Sequence, residues 1–163
     1  MSAFLERLRK YREDRGVMAS LRCVLVDSKR HRAWPALSRV GIAIGNQVSA
    51  YVAGLFATHP EETSRGNFGD TCKSIEFKRG ERRTDDSKVT PTERRFQQLL
   101  SSEPGAELHE RVLHMVLMAR SQGVPINYGK LDMDLRFWDE RARTEWAGAF
   151  WAQGTTEMAE EDI

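Results

Sequence analysis

Three cations, Lys29, Arg30 and Arg32, crowd the opening of the segment KRHRAWPALSRVG, for which Asp27 and Ser28 offer a cap. At the first turn of a helix the positive end of the backbone dipole disfavours cations unless something negative sits among them. Phosphate oxygens would accept from both the backbone N–H groups and these side chains, which makes an anion site one reading. Acidic neighbours supplied by the fold are the other, and the sequence leaves the choice open. Other residue types that could do chemistry are poorly arranged. His109 and His114 stand five apart, so they do not share a helix face as ligands at i and i+4 would, and His114 reads as a core or boundary histidine. Asp132 and Asp134, two apart on a helix, point away from one another, which argues against a paired-carboxylate metal site. Cys23 and Cys72 have no CxxC partner and read as buried free thiols. Gly66 and Gly69 bracket Phe68 without a preceding strand, and no nucleophile elbow occurs. Catalysis, a metal ion and a cofactor are therefore not expected.

Charge is distributed unevenly. The net charge is +1, yet residues 1–40 carry +6, 41–64 carry −2, 65–95 carry +3 and 96–163 carry −6. A basic front and an acidic rear fit one face for a polyanion and another for a different partner; two solvated helix surfaces are the plainer account. With 163 residues, 40% of them hydrophobic and 30% charged, the chain has the make-up of one soluble globular domain. No apolar run approaches the roughly 18 residues of a membrane span, and MSAFLERLRKYRED mixes apolar and charged positions unlike a secretory signal. The expected organisation is one domain over 1–153, an acidic frayed tail over 154–163, and a cytoplasmic location.

The elements follow from apolar spacing. In segment 127–151, Leu131, Leu135, Trp138, Ala142, Trp146 and Phe150 recur at helical steps. They form a core stripe backed by a wet face of Lys130, Asp132, Arg136, Asp139, Glu140, Arg143 and Glu145. Asn127 caps the segment, which is either one helix or two joined near Trp138 and Asp139. Phe4, Leu5, Leu8 and Tyr11 define a basic first helix ended by Gly16, and Val17, Met18, Leu21, Val24 and Leu25 a second. Segment 42–57 has no charged residue and reads as a buried central helix starting near Asn46, with Val48, Tyr51, Val52, Leu55 and Phe56 inside. Segment 61–92 is an irregular excursion with one short helix near 70–77 and a polar loop around 78–88. Thr90-Pro91 opens a helix that buries Phe96, Leu99 and Leu100 and has Arg94 and Arg95 in its first turn. A long helix closed by Gly123 follows, with Arg111 and Arg120 near its ends. No segment alternates convincingly, so the fold class is all-α: a compact bundle of about seven to nine helices with one long irregular excursion in the middle.

Four pieces in order, SLR at 20–22, GNFG at 66–69, TERRFQQLL at 92–100 and INYGKLDMDLRFWDERARTEWAGAFW from Ile126, resemble the CasB family, the small subunit of the type I-E CRISPR surveillance complex Cascade. Asp134, Leu135 and Trp138 match the family's C-terminal pattern. Two departures stand out: Arg22 is followed by Cys23 where the family commonly has two basic residues, and Asn127 stands where an Asp is frequent. The resemblance implies a non-catalytic all-α subunit, present as a dimer beside the backbone subunits and the large subunit. Such a subunit would hold the strands of the crRNA–target DNA R-loop while base pairing reads the sequence. Sequence-blind phosphate contact then predicts cations at several helix ends. Arg22, Arg94 and Arg95 lie within matched pieces, Arg111 and Arg120 flank the long helix, Arg141 and Arg143 lie on the polar side of the last helix, and Lys29 and Arg30 follow from charge crowding. Each could instead pair with an acid of the rear half. A free-standing DNA-binding regulator would need a recognition helix after a short turn, and no such pair stands out; a scaffold without nucleic-acid contact is the nearer rival.

Overall fold

The computed structural model describes residues 3–82 and 88–152. Nine α-helices occur among them: α1 Ala3–Lys10, α2 Arg15–Arg22, α3 Trp34–Arg39, α4 Gln47–Thr58, α5 Phe68–Lys78, α6 Pro91–Leu100, α7 Ala106–Gln122, α8 Tyr128–Arg136 and α9 Glu140–Trp151. Two 3₁₀ segments, Cys23–Leu25 and Asp27–Ala33, join α2 to α3. Extended pairing among the described residues is confined to one isolated bridge between Glu62 and Ile126, so the all-α expectation holds.

The uncharged run becomes the centre of the molecule. Asn46 accepts a hydrogen bond from the Ser49 amide to start α4, and every residue from Ser49 to Ala57 is buried. α2, α7 and α8 pack around it. On one side Gly54 lets α4 approach α2, since a β-carbon there would meet the Leu21 carbonyl oxygen at 3.2 Å. α5 lies against α9 more closely still: a β-carbon on Gly69 would overlap the Trp146 carbonyl oxygen. Around that contact the rings of Phe68 and Trp146 lie 5.2 Å apart, those of Trp138 and Trp146 4.8 Å, and those of Phe96 and Phe150 4.4 Å. All six residues of the predicted C-terminal stripe are buried.

Segment 127–151 is two helices. Asn127 caps α8, and Asp139 starts α9 by accepting from the Ala142 amide at 3.0 Å. Thr90 caps α6 with Pro91 behind it, and Gly123 closes α7 in the left-handed conformation. The short helix of the excursion is α5, whose Asn67 and Asp70 form a reciprocal capping box.

Several expectations are corrected. Gly16 does not end α1; it lies in the first turn of α2, which Asp14 caps. Asp27 and Ser28 do not cap a helix, and Lys29, Arg30 and Arg32 precede α3 instead of sitting in its first turn. Pro35 at the second position of α3 has no N–H to give His31, so the α pattern cannot run back through it. Asp132 is buried although the wet face was expected to hold it. It accepts from Ser49 Oγ at 2.8 Å and pairs with Arg136 at 2.6 Å, and its desolvation raises its pKa. His114 is exposed, Cys23 is half-buried while Cys72 is buried, and Val48, Leu25 and Leu100 are only half-buried. The 78–88 loop begins in the last turn of α5 and continues through residues outside the described set, as does the acidic tail. No described helix is long and apolar enough to cross a membrane.

Candidate nucleic-acid interface

The fold sorts the nine basic residues into groups instead of gathering them on one surface. Arg22 at the end of α2 donates to the Ala57 carbonyl at 3.0 Å, and Arg120 at the end of α7 to that of Thr58 at 3.5 Å. Both are exposed and stand at the C-terminus of α4, where unsatisfied carbonyls and the negative end of the dipole attract cations.

A second group surrounds the C-terminus of α6. Arg143 donates to the carbonyls of Leu100 at 3.0 Å and Ser102 at 3.1 Å and lies 5.3 Å from the Trp138 ring centre. Arg111 donates to the Gln98 carbonyl at 2.6 Å and the Ser102 hydroxyl at 3.0 Å, with Glu107 3.7 Å away. Trp138 Nε1 adds a bond to the Ser102 carbonyl at 3.1 Å. Ser102 is fully buried, so the bonds to its hydroxyl and carbonyl satisfy groups that water does not reach. Arg143, expected on the polar side of the last helix, is half-buried over an indole.

The other five are exposed. Arg141 pairs with Glu145 at 3.1 Å and Arg30 with Asp27 at 2.5 Å. Arg95 reaches the Met118 sulfur at 3.9 Å. The side chains of Lys29 and Arg94 make no hydrogen bond or ion pair with another described residue. Exposed pairs of this kind hold little energy, so Arg30 and Arg141 exchange a carboxylate for a phosphate at small cost.

Beside Lys29 stand two further exposed residues: Arg32, already one of the three crowded cations, and Trp34, which the helix-end pattern did not mark. The available signal was the acid count, because Asp27 is the one acid between Asp14 and Glu61. Carboxylates do not converge on a metal either: among the described residues no three His, Cys, Asp or Glu side chains come together to hold one. Asp134, fully buried in α8, instead accepts from the Trp146 indole N–H at 2.8 Å and pairs with Lys130 at 3.1 Å. The matched Asp134 and Trp138 are thus parts of the core's polar frame.

An all-α bundle presenting cations at the ends of several helices, with its buried carboxylates used for packing, is the class this geometry defines. The chain belongs to the Cse2 family of CRISPR-associated proteins, whose family model, described as CRISPR-associated protein Cse2, matches residues 8–151. The fold is similar to that of a Cse2-family CRISPR-associated protein from Thermus thermophilus, with a TM-score of 0.72 at 17% identity over 91% of this chain and 96% of the other. A structure of CasB from Thermus thermophilus gives 0.69 at 17% identity with the same coverage. M. ruber CasB gives 0.59 at 21% identity over 98% of this chain and 89% of its own. Comparison with curated protein sequences gave no significant match.

Proposed function

We propose that this chain is the non-catalytic small subunit of a cytoplasmic type I-E Cascade complex in antiviral defence. In this reading it pairs with a second copy along the guide-RNA backbone assembly, next to the backbone subunits and the large subunit. It steadies the R-loop by sequence-independent contact with phosphates of the target or displaced DNA strand. The observation that supports it is a surplus of exposed cations that the fold leaves without a carboxylate. The side chains of Lys29 and Arg94 have no polar partner among the described residues, and those of Arg22, Arg95 and Arg120 reach only carbonyl oxygens or a sulfur. Arg30 and Arg141 can join them by leaving an exposed pair, whereas Arg111 and Arg143 contribute through the helix end they secure.

The test is DNA binding across a salt series, using the full chain and a Lys29→Ala, Arg94→Ala, Arg95→Ala variant. Affinity should be indifferent to sequence and fall steeply with salt. The variant should lose up to about 2 units of the logarithmic salt slope on single strands, at roughly 0.7 for each phosphate released. Equal binding and equal slopes would leave the chain a scaffold that acts through its protein neighbours.

A further inference from the structure

One large aromatic side chain follows directly on the crowded cations Lys29, Arg30 and Arg32. Trp34, the first residue of α3, is 45% exposed, while its neighbours Ala33, Ala36 and Leu37 are buried. Lys29, Arg30, His31 and Arg32 on the preceding 3₁₀ segment are all exposed. Among the described residues, Trp34's ring contact is with His31, edge-on at 6.3 Å and 78°, which covers at most one face of the indole. Arg30, Trp34, Ile44 and the stacked rings of Tyr51 and His109 line a crevice of about 50 Å³. A flat ring would lie on the exposed part of the indole.

The electrostatics favour an anion there. Asp27, which Arg30 engages, is the one acid between Asp14 and Glu61, and with Glu110 of α7 it acts on the Tyr51 phenol that lines the crevice. Lys29 and Arg32 make no ion pair with another described residue. An exposed indole flanked by uncommitted cations presents the two surfaces that a single strand needs, a π face for a base and positive charge for the phosphates beside it.

We propose that Trp34 is a stacking platform for an unpaired base of a DNA strand, with Lys29 and Arg32 holding the adjacent phosphates. This deepens the strand-holding reading above and rests on it. A duplex keeps both faces of its bases covered, so the platform engages single strands and adds nothing to duplex binding. Every base has a π face, so stacking on Trp34 is indifferent to sequence.

The experiment measures anisotropy of a labelled oligothymidine of about 15 nucleotides, within the reach of a single-strand site, and of a labelled duplex of similar length. Both are titrated at low salt with the full chain and its variants. Trp34→Leu should bind the single strand about ten-fold more weakly, as expected for loss of one stacked base, with duplex affinity unchanged. Trp34→Phe should recover most of the loss. Trp151→Leu is the control, because Trp151 is equally exposed but borders a groove in which Glu76, Glu81 and Glu93 outnumber Lys73 and Arg82; it should bind like the unmodified chain. Thermal melts of each variant confirm folding at the assay temperature. If Trp34→Leu weakens both substrates equally, or neither, the platform is wrong and the exposed indole serves a protein contact. When, in that event, the Lys29, Arg94 and Arg95 variant still weakens binding, strand holding survives without stacking. No binding by the unmodified chain at low salt removes both ideas.

Discussion

Arg143→Ala separates a cation that the fold consumes from one that it offers. The substitution removes two hydrogen bonds, to the Leu100 carbonyl at 3.0 Å and the Ser102 carbonyl at 3.1 Å, and the stacking over Trp138. A hydrogen bond from a charged donor contributes about 1.5–3 kcal/mol when buried. Two features lower that figure here: the guanidinium is half-buried, and the Ser102 carbonyl keeps its bond from Trp138 Nε1. About 1 kcal/mol for each bond and ~0.5–1 kcal/mol for the cation–π contact give a loss of about 2–3 kcal/mol. With a urea dependence near 2 kcal/mol per molar, the unfolding midpoint should fall by about 1–1.5 M. Arg143→Lys should recover little of this, because an ammonium cannot fork across two carbonyls while lying flat on an indole. Arg94→Ala, which breaks no side-chain hydrogen bond or ion pair with a described residue, should stay within about 0.5 kcal/mol. An Arg143→Ala protein with an unshifted midpoint and a reduced salt slope for DNA would refute the reasoning and return Arg143 to the phosphate-binding set.

Two further perturbations test the frame that positions these residues. Gly69→Ala drives a β-carbon into the Trp146 carbonyl, whereas Gly148→Ala, also in a helix, meets nothing within 4 Å. The first should cost about 3 kcal/mol or more, lowering the melting temperature by about 6–12 °C, and the second should be neutral or stabilising; equal melting temperatures would disprove the close approach of α5 and α9. Burial first, and then the nearby Arg30 charge, hold the His109 pKa below its ordinary 6.5. The unfolded chain therefore takes the proton more readily, so the stability His109 contributes is present above pH 6.5 and is lost as pH falls through the depressed value. On moving from about pH 7.5 to about pH 5, the urea midpoint of His109→Gln should drop less than that of the unmodified chain; an equal drop would mean that the imidazole is not desolvated in the fold.

What the sequence determined by itself is whatever chain-local physics controls. Helical spacing placed Leu131 through Phe150 on one stripe, the absence of charge marked the central helix, and Asn46, Thr90, Asn127 and Gly123 marked helix ends that the structure reproduces. Each of these signals depends on neighbours within four residues or so, which the sequence displays directly. Tertiary structure alone decided how each charge is used. Asp132 and Arg143 carry the same polar label as Glu140 and Arg141, yet Asp132 is buried against Ser49, 83 positions away, and Arg143 is fastened to carbonyls 41 and 43 positions away. The same holds for the GNFG piece. Gly69 is required because the Trp146 backbone lies against it, and nothing within its own helix announces that. Charge is a property of one residue, but whether a charge meets a carbonyl, a carboxylate or open water depends on distances between elements far apart in the chain, which only packing sets.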